Sequence, residues 1–192
     1  MAQKVKNTIY SDQSDEELFL LVQKQDEEAY RTLYRRYSKR LYAYCLRVVG
    51  RRDIAEDAFQ TVAMIIYEKR DSFTGGKFAS WLFTIARHTC IKASQRQQHT
   101  NVMTTVLEDN EVLPADDGQS ADVFMSEALQ KAIVKLQPDF REALELRYMG
   151  ELSYEEIASA LGISLSLAKV RVFRAKQMLQ EYMKPYIEEN QE

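Results

Sequence analysis

"YEEIASALGISLSLAKVRVFRAK", residues 154–176, sets two apolar-periodic segments on either side of Gly162. Ser153 and Glu156 have the spacing of a capping box, in which each side chain accepts a backbone N–H of the other's position. Ile157, Ala158 and Leu161 then recur at helical steps, which predicts a short helix with one inward face. Gly162 can take the left-handed conformation that ends a helix, Ile163 packs in the turn, and Ser164 can cap the next helix. In that second helix Leu165, Ala168, Val172, Ala175 and Leu179 fall at steps of three and four and form the buried stripe. The opposite face carries Ser166, Lys169, Val170, Phe173 and Arg174, with Leu167 and Arg171 beside it. Lys169, Arg171, Arg174 and Lys176 lie within eight residues that hold no acid. A short helix, a glycine turn and a basic second helix read as a helix-turn-helix, whose second helix enters the major groove of DNA. Arg and Lys on such a helix meet phosphates or guanine edges. The plain alternative is a helical hairpin with a basic outer face; the turn and the clustered bases favour DNA.

The rest of the chain has the same helical punctuation and almost no strand signal. "SDEE" at 14–17 is a second capping box, followed by Leu18, Leu21 and Val22. A start near Asp26 leads Tyr30, Leu33, Tyr37, Leu41, Tyr44 and Val48 along a long amphipathic helix that Gly50 can end. "DIAE" at 53–56 is a box-like start for a helix with Ala58, Phe59, Val62, Ile65 and Ile66 on one face. "DSFTGGKF" at 71–78 breaks the pattern. Phe78, Trp81, Leu82, Ile85, Ala86 and Cys90 restart it as far as about Arg96. The stretch that follows is acidic and holds Pro114 and Gly118, the composition of a linker. Helices resume near Met125, Pro138 suits a first helical position, and Gly150 is placed to close that helix. The expectation is an all-α protein of two helical domains, residues 14–98 and 125–184. A flexible acidic linker at 99–124 joins them, and tails at 1–13 and 185–192 flank them.

Net charge is −3 over 192 residues, which taken alone argues against a nucleic-acid binder. Its distribution argues otherwise. Residues 31–52 hold eight Lys or Arg and no acid, while residues 97–130 hold seven acids and no Lys or Arg. Segregation of this kind matters more for binding than the sum. No apolar run reaches the roughly 18–20 residues of a membrane span, and the first residues lack the apolar core of a secretory signal. Cys45 and Cys90 stand far apart with no CxxC or Cys/His cluster, which argues against a zinc site or a disulfide framework. Two histidines, no glycine-rich phosphate loop and no paired His/carboxylate spacing leave no catalytic constellation and call for no cofactor. The expectation is a cytoplasmic protein that is not an enzyme.

Longer stretches resemble a known family. "IVKLQPDFREALELRYMGELSYEEIASALGISLSLAKVRVFRAKQML" at 133–179 resembles region 4 of the extracytoplasmic-function (ECF) RNA polymerase sigma factors. "DIAEDAFQTVAMIIYEKRDSF" at 53–73 is similar to the "AEDxxQ" helix of the same family's region 2, and "FASWLFTIARHTCIKASQR" at 78–96 to its "WLxxIAxN" helix. The likeness covers residues 15–98 and 125–184 in the family's order. It implies that Asp53, Glu56, Asp57 and Gln60 dock on the clamp helices of the largest subunit of core RNA polymerase, and that the second domain meets the flap of the second subunit. It implies that the loop with Ser72, Phe73, Gly75, Gly76 and Lys77 captures a flipped base of the −10 element, the glycines letting backbone approach closely. Unstacking a base costs a few kcal/mol, which contacts in the pocket must offset. Arg87, His88, Lys92 and Arg96 would face the melted strand. Ser166, Leu167, Lys169, Val170, Arg171, Phe173 and Arg174 would meet the −35 element. Trp81 shares a stripe with Leu82 and Ile85 and is assigned to the core. The acidic linker resembles the segment that threads the RNA exit path. An anti-sigma factor is a further candidate partner.

Three departures from the family pattern matter. His88 stands for an Asn and Lys92 for an Asp. In place of "GTVxSR", residues 166–171 read Ser-Leu-Ala-Lys-Val-Arg, so Leu167 and Val170 replace two hydroxyls. Leu167 cannot donate to a phosphate, and Val170 offers only apolar contact, for instance with a thymine methyl. Two readings stay open: an unusual −35 element, or weak readout supplemented by a separate DNA-targeting partner, protein or RNA-guided. The rival class is a helix-turn-helix repressor or response-regulator output domain. The first 98 residues offer it no ligand-pocket or phospho-acceptor signature.

Overall fold

The computed structural model describes the backbone of residues 10, 12–101 and 120–188, and side chains at 10, 12–96 and 128–186. These residues form eight α-helices and no strand: α1 Asp15–Gln23, α2 Glu27–Val49, α3 Arg52–Glu68, α4 Phe78–Asn101, α5 Ser120–Lys135, α6 Pro138–Tyr148, α7 Tyr154–Leu161 and α8 Leu165–Glu188. A 3₁₀ turn, Arg70–Ser72, follows α3.

The helix starts follow from local chemistry. The N–H of Glu17 donates to Ser14 Oγ at 3.2 Å, and the N–H of Ser14 donates to Glu17 Oε2 at 2.8 Å. Asp26 accepts from the N–H groups of Glu28 and Ala29, both at 3.0 Å. Gly50, at φ 78°, ends α2 in the left-handed conformation. α3 departs from the expected box at 53–56. It begins at Arg52 with no side-chain cap, because the Asp53 carboxylate takes the Arg51 guanidinium at 2.7 Å instead.

Other boundaries also move. α4 runs to Asn101 and α5 starts at Ser120, so both helices reach into the expected linker, whose residues 102–119 lie outside the described residues. Gly150 does not cap α6. Met149 ends that helix, and the left-handed position falls to Glu151 at φ 52°. What Gly150 supplies is space, since a Cβ there would stand 2.7 Å from the Leu146 carbonyl oxygen. α8 continues through Pro185, and Tyr186 packs on the small cluster of Ala128, Ala132 and Met183, so the expected C-terminal tail is helical as far as Glu188.

One apolar cluster spans both halves of the chain. It joins Leu18, Phe19, Leu41, Tyr44, Val62, Leu82 and Phe83 to Leu146, Leu152, Ile157, Ala160, Ala168 and Val172. The second half is therefore laid against the first, with α7 on α4 and α6 on α2. Polar contacts cross the same seam. Ser80 Oγ donates to the Glu156 carbonyl at 3.1 Å. Arg40 donates to the Gly150 carbonyl and holds Nε 3.3 Å from Glu151. Arg87 pairs with Glu142, with Nη2 3.4 Å from Oε2. Cys45 and Cys90 are free and fully buried, and the hydrogen bond the Cys45 thiol makes to Cys90, together with burial, pushes that thiol up.

Glu145 lies in this seam, 5% exposed, with Oε1 unpartnered. Burial raises its carboxyl to about 7, against the pull of Arg47 and Arg141, with Glu142 adding to the rise. A folded value above the ordinary one means that the Glu145 contribution to stability is most favourable at low pH. That contribution falls as pH rises from about 4.5 to about 7. Glu145→Gln is therefore expected to be near neutral at pH 4 and stabilising at pH 8, by up to about 3 kcal/mol. Urea midpoints of both proteins at the two pH values check this; an identical difference at both would refute the burial of a charge.

Candidate polymerase and nucleic-acid interface

The helix-turn-helix forms as its sequence dictates. Ser153 Oγ accepts from the Glu156 N–H at 3.1 Å, and Glu156 Oε2 accepts from the Ser153 N–H at 2.7 Å. Gly162 takes φ 64°. Ser164 Oγ accepts from the Leu167 N–H at 3.3 Å and so caps α8. Ala168, Val172 and Ala175 are buried, which turns Ser166, Lys169, Val170, Phe173 and Arg174 outward, with Leu167 exposed beside them. Leu165 departs from the expected buried stripe: at the first residue of the helix it is 37% exposed. Arg171 departs from the expected DNA face. Its side chain is 17% exposed and pairs with Asp139 in the first turn of α6. No described side chain forms an ion pair with Lys169, Arg174 or Lys176.

The loop between α3 and α4 is held at both edges. Gln23 Nε2 donates to the carbonyls of Arg70 at 2.8 Å and Phe73 at 2.9 Å, and Glu16 accepts from the Phe78 N–H at 3.2 Å. Between these anchors Thr74, Gly75, Gly76 and Lys77 are exposed. Gly75 and Gly76 take φ 126° and 91°, and a Cβ at either would meet nothing within 4 Å. Ser72 is exposed and donates to the Lys69 carbonyl at 2.6 Å. Phe73 departs from the expected base-capture set. It is 6% exposed and packs edge-on against Phe19 at 5.2 Å. Trp81 packs on Phe19 and Phe73 at 5.1 and 5.5 Å, in the core role expected for it.

On α4, His88, Lys92 and Arg96 are exposed, whereas Arg87 is half-buried against Glu142 of α6. The exposed three line a cleft of about 680 Å³ between α3 and α4, together with Arg51, Asp57, Thr61 and Lys69. Arg51 and Lys69 were not among the expected site residues; only their place at the ends of α3, next to basic runs, hinted at them. Asp53, Glu56, Asp57 and Gln60 are all exposed on α3, with Ala55, Ala58 and Val62 buried behind them. Met64 and Tyr67 continue that outer face, 62% and 45% exposed. Met64 lies four residues past Gln60 and Tyr67 three past Met64, the spacing that could have added them.

Residues 33–100 match the family model for Sigma-70 region 2, and residues 126–179 match that for Sigma-70, region 4. The chain is 32% identical over 157 residues to the RNA polymerase sigma factor YlaC of Bacillus subtilis, covering 79% of this chain and 90% of that one. It is 29% identical over 155 residues to the ECF RNA polymerase sigma factor SigE of Mycolicibacterium smegmatis, covering 79% of this chain but spanning only 60% of SigE. The sigma factor RpoE of Bartonella quintana, solved in complex with the anti-sigma factor NepR, superposes with a TM-score of 0.63 at 31% identity, over 75% of this chain and 89% of that one. Regions 2 and 4 in this order define an RNA polymerase sigma factor of the sigma-70 class. Within that class, the chain belongs to the ECF family. No helix among the described residues is long and apolar enough to cross a membrane.

Proposed function

We propose that this chain binds core RNA polymerase through the exposed acidic face of α3, opens the −10 element with the loop at 72–77 and the basic row of α4, and places α8 in the major groove of the −35 element. Region 2 corresponds to residues 14–98 and region 4 to residues 125–184, with the intervening stretch spanning the polymerase between them. The chain acts in the cytoplasm, where the polymerase is, and RNA synthesis is the polymerase's chemistry. Clamp helices of the largest subunit suit Asp53, Glu56, Asp57 and Gln60, and the flap of the second subunit receives region 4. An anti-sigma factor of the kind seen with RpoE of Bartonella quintana is the partner class that would hold the protein inactive.

The observation that carries this reading is the loop. Two adjacent glycines with left-handed φ are anchored on both sides and open to solvent, at the start of the helix whose later turns expose His88, Lys92 and Arg96. Backbone without side chains can close on an unstacked base, and the cations further along α4 can track the strand that leads away from it. Arg87 joins them only when Glu142 lets go, so the contact between α4 and α6 must open for the full basic row to reach DNA.

Reconstitution with core polymerase, followed by transcript mapping across genomic DNA, tests the reading as a whole. Gly76→Val tests the loop. β-branched substitution at φ 91° is strained, so the expected result is a loss of permanganate reactivity at −10 thymines while duplex binding through α8 persists. Wild-type thymine reactivity in that variant would remove the loop from base capture.

A further inference from the structure

We propose that the outward line of α8 reads thymine C5-methyl groups, so that this chain's −35 element is a duplex segment displaying adjacent thymines in its major groove, with Val170 and Phe173 as the specificity-determining residues. The inference rests on the assignment of α8 to the −35 element and names what that helix recognises.

At about 100° per residue, Ser166, Val170, Phe173 and Gln177 fall within roughly 60° of arc. That arc lies on the side away from the buried Ala168, Val172 and Ala175. It is the part of the helix that projects furthest from the domain. Its middle is apolar: Val170 is 44% exposed and Phe173 61%. Leu167, on the flank, is 41% exposed. Hydrogen-bonding groups sit only at the ends of the line, on Ser166 and Gln177. Arg171, the cation at the end of the "GTVxSR"-like stretch, is withdrawn against Asp139 and does not join them.

A helix that read guanine or adenine edges would need donors and acceptors in that middle. This one offers methyls and a ring. In the major groove the one apolar feature is the thymine C5-methyl, and side chains such as Phe or the methyl of Thr meet it by contact. The rim identifies the occupant as DNA. Residues 157–180 hold four Lys or Arg and no Asp or Glu. Lys169, Arg174 and Lys176 are exposed around the apolar line. An acid-free basic rim around an apolar centre complements a polyanion that displays methyl groups between its phosphate rows.

The experiment uses holoenzyme reconstituted from the full chain and core polymerase. A promoter with a randomised −35 segment is selected for binding, and each thymine of the winning segment is then replaced by deoxyuridine. That change removes one methyl and leaves base pairing intact. Expected is a thymine-bearing winner whose affinity falls about fourfold per critical methyl, the worth of one buried CH₂ group. Val170→Ala and Phe173→Ala should flatten the thymine-to-uracil ratio towards one. Lys169→Ala should instead lower the salt slope by about one and keep the ratio. Both apolar positions are solvent-exposed, so circular dichroism should be unchanged. Tight binding that ignores the loss of methyls overturns the inference and leaves the sigma-factor reading standing. Wild-type binding by Val170→Ala and Phe173→Ala, with uracil tolerated, overturns it in favour of a protein covering this face. Failure to bind or transcribe any duplex would overturn both.

Discussion

Holoenzyme made with Asp57→Arg should dissociate tens- to hundreds-fold more readily than wild type. Asp57 is exposed on α3, beside Glu56 and one turn from Asp53 and Gln60. Against a basic partner surface, a carboxylate turned into a guanidinium replaces an attraction by a like-charge contact, which costs several kcal/mol at an interface. The fold should not suffer. The side chain meets solvent, and Arg is a better helix former than Asp. One confounding effect is built into the site, because Asp57 also lines the cleft that holds Lys92 and Arg96. A guanidinium there could repel them and disturb the −10 face. Glu56→Arg separates the two effects, since Glu56 is exposed on the same helix but does not line the cleft. If both variants lose core polymerase on gel filtration with unchanged helicity, α3 is the docking face. Wild-type yields of holoenzyme from both would reject it.

Signals written within a few residues of each other were legible in the sequence. The capping boxes at Ser14–Glu17 and Ser153–Glu156, the left-handed Gly50 and Gly162, and Pro138 in the first turn of α6 all form as read. They need no information from outside their own turn. Where a distant or competing partner decides, the reading failed. Arg51 claims Asp53 and removes the cap from α3. Gly150 is spent on clearance from the Leu146 carbonyl, and the left-handed position falls to Glu151. Phe73, Arg87 and Arg171 carry side chains suited to DNA, yet each is held by a residue far along the chain: Phe19, Glu142 and Asp139. Periodicity marks a residue as inward or outward on its own helix. It does not say which other helix will cover it. The seam between the two halves was hidden for the same reason, because the composition of the linker says nothing of whether the domains it joins touch.

Phe19→Ala should cost region 2 about 3–5 kcal/mol. Phe19 is fully buried on α1, and three rings surround it: Phe73 at 5.2 Å, Phe78 at 4.8 Å and Trp81 at 5.1 Å. Truncation removes its buried area and its aromatic contacts, and it opens a cavity among those rings. Against a total stability of about 5–15 kcal/mol, that is a large share. The change should also reach the loop. Gln23 lies one turn further along α1, and its amide holds the carbonyls of Arg70 and Phe73. If α1 shifts into the cavity, that clamp moves and the two glycines lose their fixed position. Phe19→Leu keeps most of the volume without the ring, so it should cost less stability while still loosening the edge-on contact with Phe73. Urea denaturation gives the first quantity. Permanganate reactivity of the −10 thymines, measured at a temperature where each variant is fully folded, gives the second. Should Phe19→Leu stay folded and melt promoters as wild type does, the aromatic cluster serves stability alone and the loop is positioned by its own hydrogen bonds.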